Sequence, residues 1–556
     1  MKSFSKINRK NVFLTTLATA AAVAAVGLTT NAGAATSVNT YWIGPSGDSS
    51  QGGSWDSAAN WVSKFSANST NYTGHWIPGT NGTGNYDSSI TPSGPSGGYS
   101  DSGYIMGLAG NSTGYTVTMS GNYQADAAYL NGLNVNAGFH YSTAPNPNSP
   151  VILDIQAGAY LPTTLAIGGS GSYGATVNVA GTVNAGSLRV GAAVGASGTY
   201  SQTTSTLNIE SGGYVTVPGN QWGFSVGADG ANGVLNIQSG GKITVGYPGS
   251  IVLGANAPVV SSHGTFTGYG TMNQTGGTTS VNRSILVGYD TNGTFNMSGG
   301  TDTIGGLEVA SYGQGTFNLS GGVVTSQGAV IIAGLGEQGI NAGASGSPTG
   351  LITITGGTLA GSNLSSGNSS GSGTAELQIV GTGGTLNFAA GAGASGMQTF
   401  ANSTLDFQIG SGGVSTITAD GGGSTSTQND TRDVVALSGT LELDLLGGFT
   451  PVTGQVYTLI TTNVVTATNA AYMGIVTTNT LLNNYSNNGN YQNTGLSLAA
   501  MDNGLWSFNV VVNAAGTATE LQATYIGQPT IPEPATLGLM AVAGAGLLLI
   551  GRRKRA

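Results

Sequence analysis

A short pattern of apolar and polar positions recurs between about residues 150 and 390. Its first form is apolar-Asn-apolar, followed in most copies by a Gly-Gly turn, as in GTFNMSGGTDTI at 293. Its second form is apolar-x-apolar followed by Gly or Ala, as in ILVGY at 285. Further copies of the first form are GATVNVAGTV at 174, STLNIESGGYVTV at 205, GVLNIQSGGKITV at 233, GTMNQTGGTTSV at 270 and GTFNLSGGVVTS at 315.

This repetition predicts a cycle of strand, turn, strand and loop. The asparagines of successive copies lie 22 to 37 residues apart, which is typical of solenoids whose turns bury apolar side chains only against neighbouring turns. Alternation turns the apolar members inward and leaves Asn178 and Asn318 facing outward or stacked as a ladder. The predicted inward positions include Val177, Val179, Phe317 and Leu319.

We therefore predict an all-β fold with a parallel β-helix or β-solenoid as its body. Glycine after each strand supplies the positive φ that a corner needs, and differences in repeat length should emerge as loops. An antiparallel β-sandwich array is the alternative, since Gly-Gly pairs can also close hairpins.

The composition is more typical of a protein built from many short strands than of an ordinary soluble enzyme. The 556 residues include 96 glycines, only 6% charged residues and no cysteine, so disulfides and thiolate metal sites are excluded. Basic residues cluster at the two ends, and all 22 acidic residues lie between these clusters. Such an acidic body repels phosphate backbones, which argues against nucleic acid as a partner.

The N-terminus predicts export. Residues 1–34 combine a basic start, an apolar stretch and small residues at Ala32 and Ala34, as a cleaved signal peptide does. An uncleaved N-terminal membrane helix is the alternative.

The C-terminus combines a proline-rich triplet, a short apolar span and a basic tail. The uncharged span 535–551 would be about 26 Å long as a helix, short but sufficient for a bilayer core of roughly 30 Å. The basic residues after it should stay cytoplasmic. The triplet is Pro532, Glu533 and Pro534, and the tail is Arg552, Arg553, Lys554 and Arg555.

This terminal arrangement resembles the PEP-CTERM sorting signal of Gram-negative bacteria that make extracellular polysaccharide. The resemblance implies processing near the triplet by an exosortase-type transpeptidase, after the helix has held the protein in the inner membrane. A plain C-terminal anchor is the alternative. GGSWDSAANW, at 52 in the chain, resembles the N-terminal stretch of autotransporter-like and PEP-CTERM solenoid proteins.

Five regions follow from these patterns. They are a signal peptide at 1–34, an N-terminal cap or β region at 35–130, a repetitive solenoid at 131–400, a C-terminal β region at 401–528, and a sorting signal at 529–556 with a transmembrane helix at 535–551. The cap region contains Trp42, Trp55, Trp61 and Trp76. Their bulk could cover the end of the solenoid, or their faces could stack on sugar rings.

Candidate chemistry is sparse, and we predict no catalytic, metal or cofactor site. Charged residues of the repeats, such as Asp302 and Glu308, do not recur at one position of the cycle. Glu442 and Asp444 share one face of the strand LELDLL, which is the expected solvated side of an amphipathic strand. The histidines are isolated from one another.

These features predict an exported, non-enzymatic protein of the cell surface or extracellular matrix, with a structural or adhesive role and exopolysaccharide as a candidate partner. A polysaccharide-binding or polysaccharide-degrading protein on the same scaffold is the alternative function.

Overall fold

A computed structural model gives the structure of this chain. It describes residues 37–42, 53–54, 61–64, 100–106, 115–120, 130–136, 151–162, 164–168, 174–192, 204–219, 223–228, 230–255, 259–261, 264–266, 268–334, 347–368, 372–392, 396–422, 435–462, 475–476, 496–497, 506–515 and 518–527.

The first half of the chain contains short strands throughout. Those of the N-terminal part are β1 (Ser37–Trp42), β2 (Gly53–Ser54), β3 (Trp61–Lys64), β4 (Ser100–Met106), β5 (Tyr115–Met119) and β6 (Leu130–Asn136). They are followed by β7 (Val151–Ile155), β8 (Tyr160–Leu161), β9 (Leu165–Ile167), β10 (Ala175–Val179), β11 (Thr182–Asn184), β12 (Leu188–Ala192), β13 (Thr204–Ile209), β14 (Tyr214–Val217), β15 (Phe224–Ala228), β16 (Asn232–Ile237), β17 (Lys242–Val245) and β18 (Ile251–Ala255).

The second half continues in the same manner. Its strands are first β19 (Val259–Ser261), β20 (Gly264–Phe266), β21 (Tyr269–Gln274), β22 (Thr278–Val287), β23 (Asn292–Met297), β24 (Thr301–Val309), β25 (Gln314–Leu319), β26 (Val323–Ser326), β27 (Ala329–Ile332), β28 (Thr349–Ile354), β29 (Gly357–Gly361) and β30 (Asn363–Ser366). The last are β31 (Thr374–Val380), β32 (Gly384–Ala392), β33 (Met397–Thr399), β34 (Ser403–Ile409), β35 (Ile417–Gly422), β36 (Val435–Ala436), β37 (Gly439–Leu445), β38 (Val456–Thr462), β39 (Ile475–Val476), β40 (Leu496–Ser497), β41 (Trp506–Val512) and β42 (Thr519–Tyr525), with a 3-10 turn at Leu446–Gly448.

Parallel pairing joins each strand to the equivalent strand of the next coil. A 14-stranded sheet, the first ladder, runs from β2 through β10 and β25 to β40. A 26-stranded sheet contains the second ladder, including β8, β11 and β14, and the third, including β9, β12 and β15. The long strands β22 and β24 each contribute to both of these ladders. One coil thus places a strand in each ladder, as β10, β11 and β12 do.

This stacking agrees with the predicted parallel β-solenoid. The strand after a Gly-Gly pair enters a different ladder instead of folding back: β16 belongs to the first and β17, after Gly240–Gly241, to the second. The antiparallel sandwich is therefore wrong for the body. Parallel pairing joins β5 to β7 and β31 to β34 across the boundaries predicted at residues 130 and 400, and the division of the chain into five regions stays a prediction.

Alternation along each strand builds the core. In β10 and β25 the residues Val177, Val179, Phe317 and Leu319 are buried, and Asn178 and Asn318 between them are half-buried. This confirms the predicted inward and outward positions. Phe295 and Phe317 stack in adjacent coils with ring centroids 4.9 Å apart, so each coil packs on the one before it.

Corners after the third ladder require an unusual backbone. Gly288 has a φ of 71°, and a Cβ there would lie 2.1 Å from the Gln314 carbonyl oxygen. Ala310 and Ala333 occupy the corresponding positions of the next two coils, with φ values of 64° and 51°. This left-handed conformation explains why Gly, and occasionally Ala, ends the second form of the repeat.

The coils differ in length because of inserted loops. The longest spacing between repeat asparagines, 37 residues from Asn236 to Asn273, contains the antiparallel hairpin of β19 and β20. Antiparallel pairing also ends the described body, where β42 pairs with β38 and β41 pairs with β42. Among the described residues no helix is both long and apolar enough to cross a membrane. The predicted helix at 535–551 lies outside those residues.

Candidate functional site

A continuous row of polar side chains runs along the outer face of the first ladder. Each member is the register partner of the next, so the row crosses one coil per residue. We call this row the polar ladder; its members are Asp154, Asn178, Asn208, Asn236, Asn273, Asn296, Asn318, Thr353, Gln378, Asp406 and Glu442. The stacked asparagines confirm the ladder that the repeats predict.

Hydrogen bonds between side chains connect the polar ladder from Asp154 to Asn318. The Nδ2 group of Asn178 donates to Asp154 Oδ1 at 2.6 Å, and Asn208 Nδ2 donates to Asn178 Oδ1 at 2.8 Å. The same contact recurs at 2.8 to 2.9 Å up to Asn318. Every amide in this part therefore donates to the preceding coil.

Asp154 explains this common direction. An ionised carboxylate can only accept hydrogen bonds, so Asn178 must present its NH2 group to it and its oxygen to Asn208. Each following asparagine up to Asn318 then orients its amide in the same way, with the NH2 group toward the preceding coil. Beyond Asn318 the direction reverses, because Thr353 donates to Gln378 and Gln378 donates to Asp406 Oδ2 at 2.9 Å. Both parts of the polar ladder therefore end on a carboxylate.

The polar ladder should contribute measurably to stability. Asn236→Ala removes one bond that this residue donates to Asn208 and one that it accepts from Asn273. At about 0.5–1.5 kcal/mol for each bond, we expect the free energy of unfolding to fall by about 1–3 kcal/mol. Urea unfolding followed by circular dichroism measures the change. Thr206→Ala, an outward position on a neighbouring coil outside the polar ladder, is the matched control, and equal urea midpoints would contradict the prediction.

Carboxylates accumulate where the polar ladder ends. Asp406 and Glu442 are register partners, and Asp444 lies two residues further along β37. The pKa of Glu442 is raised, first by burial and then by the negative charges of Asp406 and Asp444. The pKa of Glu376 is raised by burial, Asp406 and Glu442.

The strand that carries Glu442 and Asp444 is amphipathic, as predicted. Leu441 and Leu443 are buried, Glu442 is half-buried and Asp444 is exposed. The sequence did not reveal Asp406 as their neighbour, since only the coil register brings β34 beside β37. Asp406 is itself buried, and its Oδ2 accepts hydrogen bonds from Gln378 and Gln408. In the part of the chain that the structure describes, no group of three potential metal ligands is arranged to hold an ion.

An aromatic cluster covers the C-terminal end of the core. Trp506 on β41 lies 5.8 Å from Tyr457 and 5.1 Å from Tyr525, measured between ring centroids, and all three side chains are buried. Burial raises the pKa of Tyr457. These residues lie in the region 401–528, which the sequence predicts only as C-terminal β structure, whereas it predicts an aromatic cap near the N-terminus.

The tryptophans predicted as cap or sugar platform fall partly in described strands. Trp42 on β1 and Trp61 on β3 are register partners in an antiparallel pair. Trp55 and Trp76 lie outside the described residues. So do the sorting triplet, the basic tail, and the predicted signal cleavage residues Ala32 and Ala34, which remain predictions from the sequence.

Two charged repeat residues are buried on opposite faces of β24. Asp302 is fully buried and lies on the inward face, where the next coil has Val324, so it replaces a core residue. Glu308 is 5% exposed but alternates with the core residues Leu307 and Val309, so it lies on the outward face, beside its register partner Leu286.

Comparison with protein families identifies a motif at the end of the chain. Residues 530–555 match the model of the PEP-CTERM protein-sorting motif. The chain carries a PEP-CTERM sorting signal. This signal implies an exported protein that passes through the cell envelope to the surface and is processed by an exosortase-type enzyme. No curated protein matches the chain.

Proposed function

We propose that this protein is a structural or adhesive component of the cell surface or extracellular matrix and that it has no enzymatic activity. The observation that carries the proposal is the unbroken polar ladder on a parallel solenoid whose chain ends in a PEP-CTERM signal. A regular body with one repeated surface suits extended contact with a polymer better than chemistry at one point.

The shape of the body supports this role. Strands of a sheet lie about 4.8 Å apart, so the 14 strands of the first ladder span roughly 60 Å along the solenoid. The half-buried asparagines of the polar ladder, and the threonines beside several of them such as Thr206 and Thr294, present uncharged donors and acceptors on this face. Neutral polysaccharide hydroxyls match such a surface, so exopolysaccharide is the partner we propose.

Delivery would use both ends of the chain. The signal peptide at 1–34 would direct export in a Gram-negative cell, and the apolar span 535–551 would hold the body outside the inner membrane. Processing near Pro532 would then separate the body from the span and its basic tail.

Loss of the triplet should block this processing. In a strain that makes an exosortase-type enzyme, we expect the variant with Pro532, Glu533 and Pro534 all replaced by alanine to keep its basic tail and to stay in the membrane fraction. The wild-type protein should lose the tail and leave that fraction. Mass spectrometry of the C-terminal peptide and cell fractionation measure both effects.

A nearby proline provides the control for this experiment. Pro529→Ala replaces a proline just before the matched residues 530–555 and should be processed normally. An unchanged C-terminus in the wild-type protein, with the tail intact, would contradict the proposed processing.

The structural or adhesive role needs its own test. A deletion strain should release more polysaccharide from its cells under shear than the parent strain, and the full chain should restore retention whereas the alanine triplet variant should not. Purified protein should bind isolated exopolysaccharide without shortening it. Normal retention in the deletion strain would contradict the role, and shortening of the polymer would show an enzyme instead.

A further inference from the structure

Three polar side chains meet inside the otherwise apolar core. Gln274 ends β21, Thr279 lies near the start of β22, and Asp302 is the register partner of Thr279 in the next coil. Gln274 and Asp302 are 0% exposed and Thr279 is 2% exposed. The equivalent positions of adjacent coils are apolar: Ile237 and Met297 flank Gln274, Ile243 precedes Thr279, and Val324 follows Asp302.

Hydrogen bonds connect these three side chains in a series from Thr279 through Gln274 to Asp302. Thr279 Oγ1 donates to Gln274 Oε1 at 3.1 Å, and Gln274 Nε2 donates to Asp302 Oδ1 at 2.7 Å. The Oδ2 atom of Asp302 is buried and accepts no hydrogen bond. Gly300 leaves room for the amide, because a Cβ at that position would lie 2.7 Å from Gln274 Nε2.

The arrangement contains the parts of an acyl transfer. Thr279 supplies a hydroxyl nucleophile beside a carboxamide, and Asp302 lies against the nitrogen that would have to leave. Burial raises the pKa of Asp302 to about 7, against the smaller opposing effect of hydrogen bonding, chiefly from Gln274. A carboxyl group with this pKa can both take and give a proton near neutral pH.

We propose that Thr279 and Gln274 become joined by an intramolecular ester in the mature protein. Thr279 Oγ1 forms a bond to Gln274 Cδ while its proton passes to Asp302. The bond between Cδ and Nε2 then breaks, and Asp302 returns the proton to the leaving nitrogen, which departs as ammonia. Hydroxyl plus carboxamide thus give ester plus ammonia, with no oxidation and no further reactant.

The surroundings favour keeping such a bond. Water would hydrolyse an ester, and here all three groups are buried in the core. The ester would close the corner between the first ladder, which contains β21, and the second ladder, which contains the start of β22. It would covalently hold this corner of an adhesive body.

Peptide mass spectrometry tests the ester directly. Trypsin cleaves after Lys242 and Arg283 and has no site between them, so one peptide of the denatured full chain contains both Gln274 and Thr279. We expect this peptide to weigh one ammonia less than its sequence requires. Fragmentation should yield no ions from cleavage between residues 274 and 279, because the ring keeps both pieces together.

Variants distinguish the ester from other losses of ammonia, such as succinimide formation at asparagine. Thr279→Val and Asp302→Asn should give the peptide at full mass, whereas Thr279→Ser should again give the lighter ring. Circular dichroism checks that each variant has the β-sheet signal of the wild-type protein. A full-mass wild-type peptide with an intact Gln274 amide overturns the proposal, and so does a lighter peptide that persists in Thr279→Val.

Discussion

Replacing Phe317 by alanine is expected to lower the free energy of unfolding by about 3–5 kcal/mol. The ring is 0% exposed, stacks on Phe295 of the preceding coil and is the register partner of Ile352 in the next coil. The substitution therefore removes apolar contacts on both sides and leaves a cavity that the backbone of three coils holds open. Urea unfolding and thermal melting, both followed by circular dichroism, measure the loss.

A control on the same strand separates cavity formation from general disturbance of β25. Thr316→Ala truncates the neighbouring outward side chain, which is half-buried, and should change the free energy of unfolding by much less. Phe317→Leu keeps most of the volume and should fall between the two. If Phe317→Ala lost no more stability than Thr316→Ala, stacking between coils would not be the main source of stability.

Stability should also fall as pH rises, because of Asp302. Burial raises the pKa of this carboxyl from 3.8 to about 7, so the folded state binds the proton more tightly than the unfolded state. The stabilisation is complete below about pH 4 and is lost progressively as pH rises to about 7. At 1.36 kcal/mol for each pH unit, the loss amounts to about 4 kcal/mol.

Asp302→Asn isolates this contribution. The amide has no charge to bury and keeps an oxygen for the hydrogen bond from Gln274. We expect its stability relative to the wild-type protein to improve steadily between pH 4 and pH 7 and then to level off. The slope of this difference is the measured quantity, so a constant offset from any covalent bond does not affect it. A difference that is the same at every pH would contradict the buried titration.

The sequence predicted those parts of the fold that depend on local alternation. Asn178 and Asn318 are placed correctly because each lies between two apolar residues of one strand, and strands have a period of two. The direction of the polar ladder could not be predicted in this way. It depends on the carboxylate of Asp154, whose strand β7 lacks the asparagine of the repeat.

Contacts between coils could not be predicted from the sequence, for a different reason. Asp406 and Glu442 become neighbours only through the register of β34 on β37, and loops of variable length separate such strands along the chain. Gln274 and Asp302 are likewise irregular within their single repeats, but they meet across one coil boundary. The sorting triplet is the opposite case. It can be recognised from the order of its residues alone, without any knowledge of the fold.

The constant register of the first ladder has a consequence for how such a protein can change. Successive asparagines pair equally well across 22 residues and across 37, since loops absorb the difference. A gene duplication or deletion of one whole repeat would therefore move the two ends of the body by about 4.8 Å and leave every remaining side chain on its own face. The number of repeats therefore sets the length of the body in steps of about 4.8 Å, without any change in the side chains that each face presents.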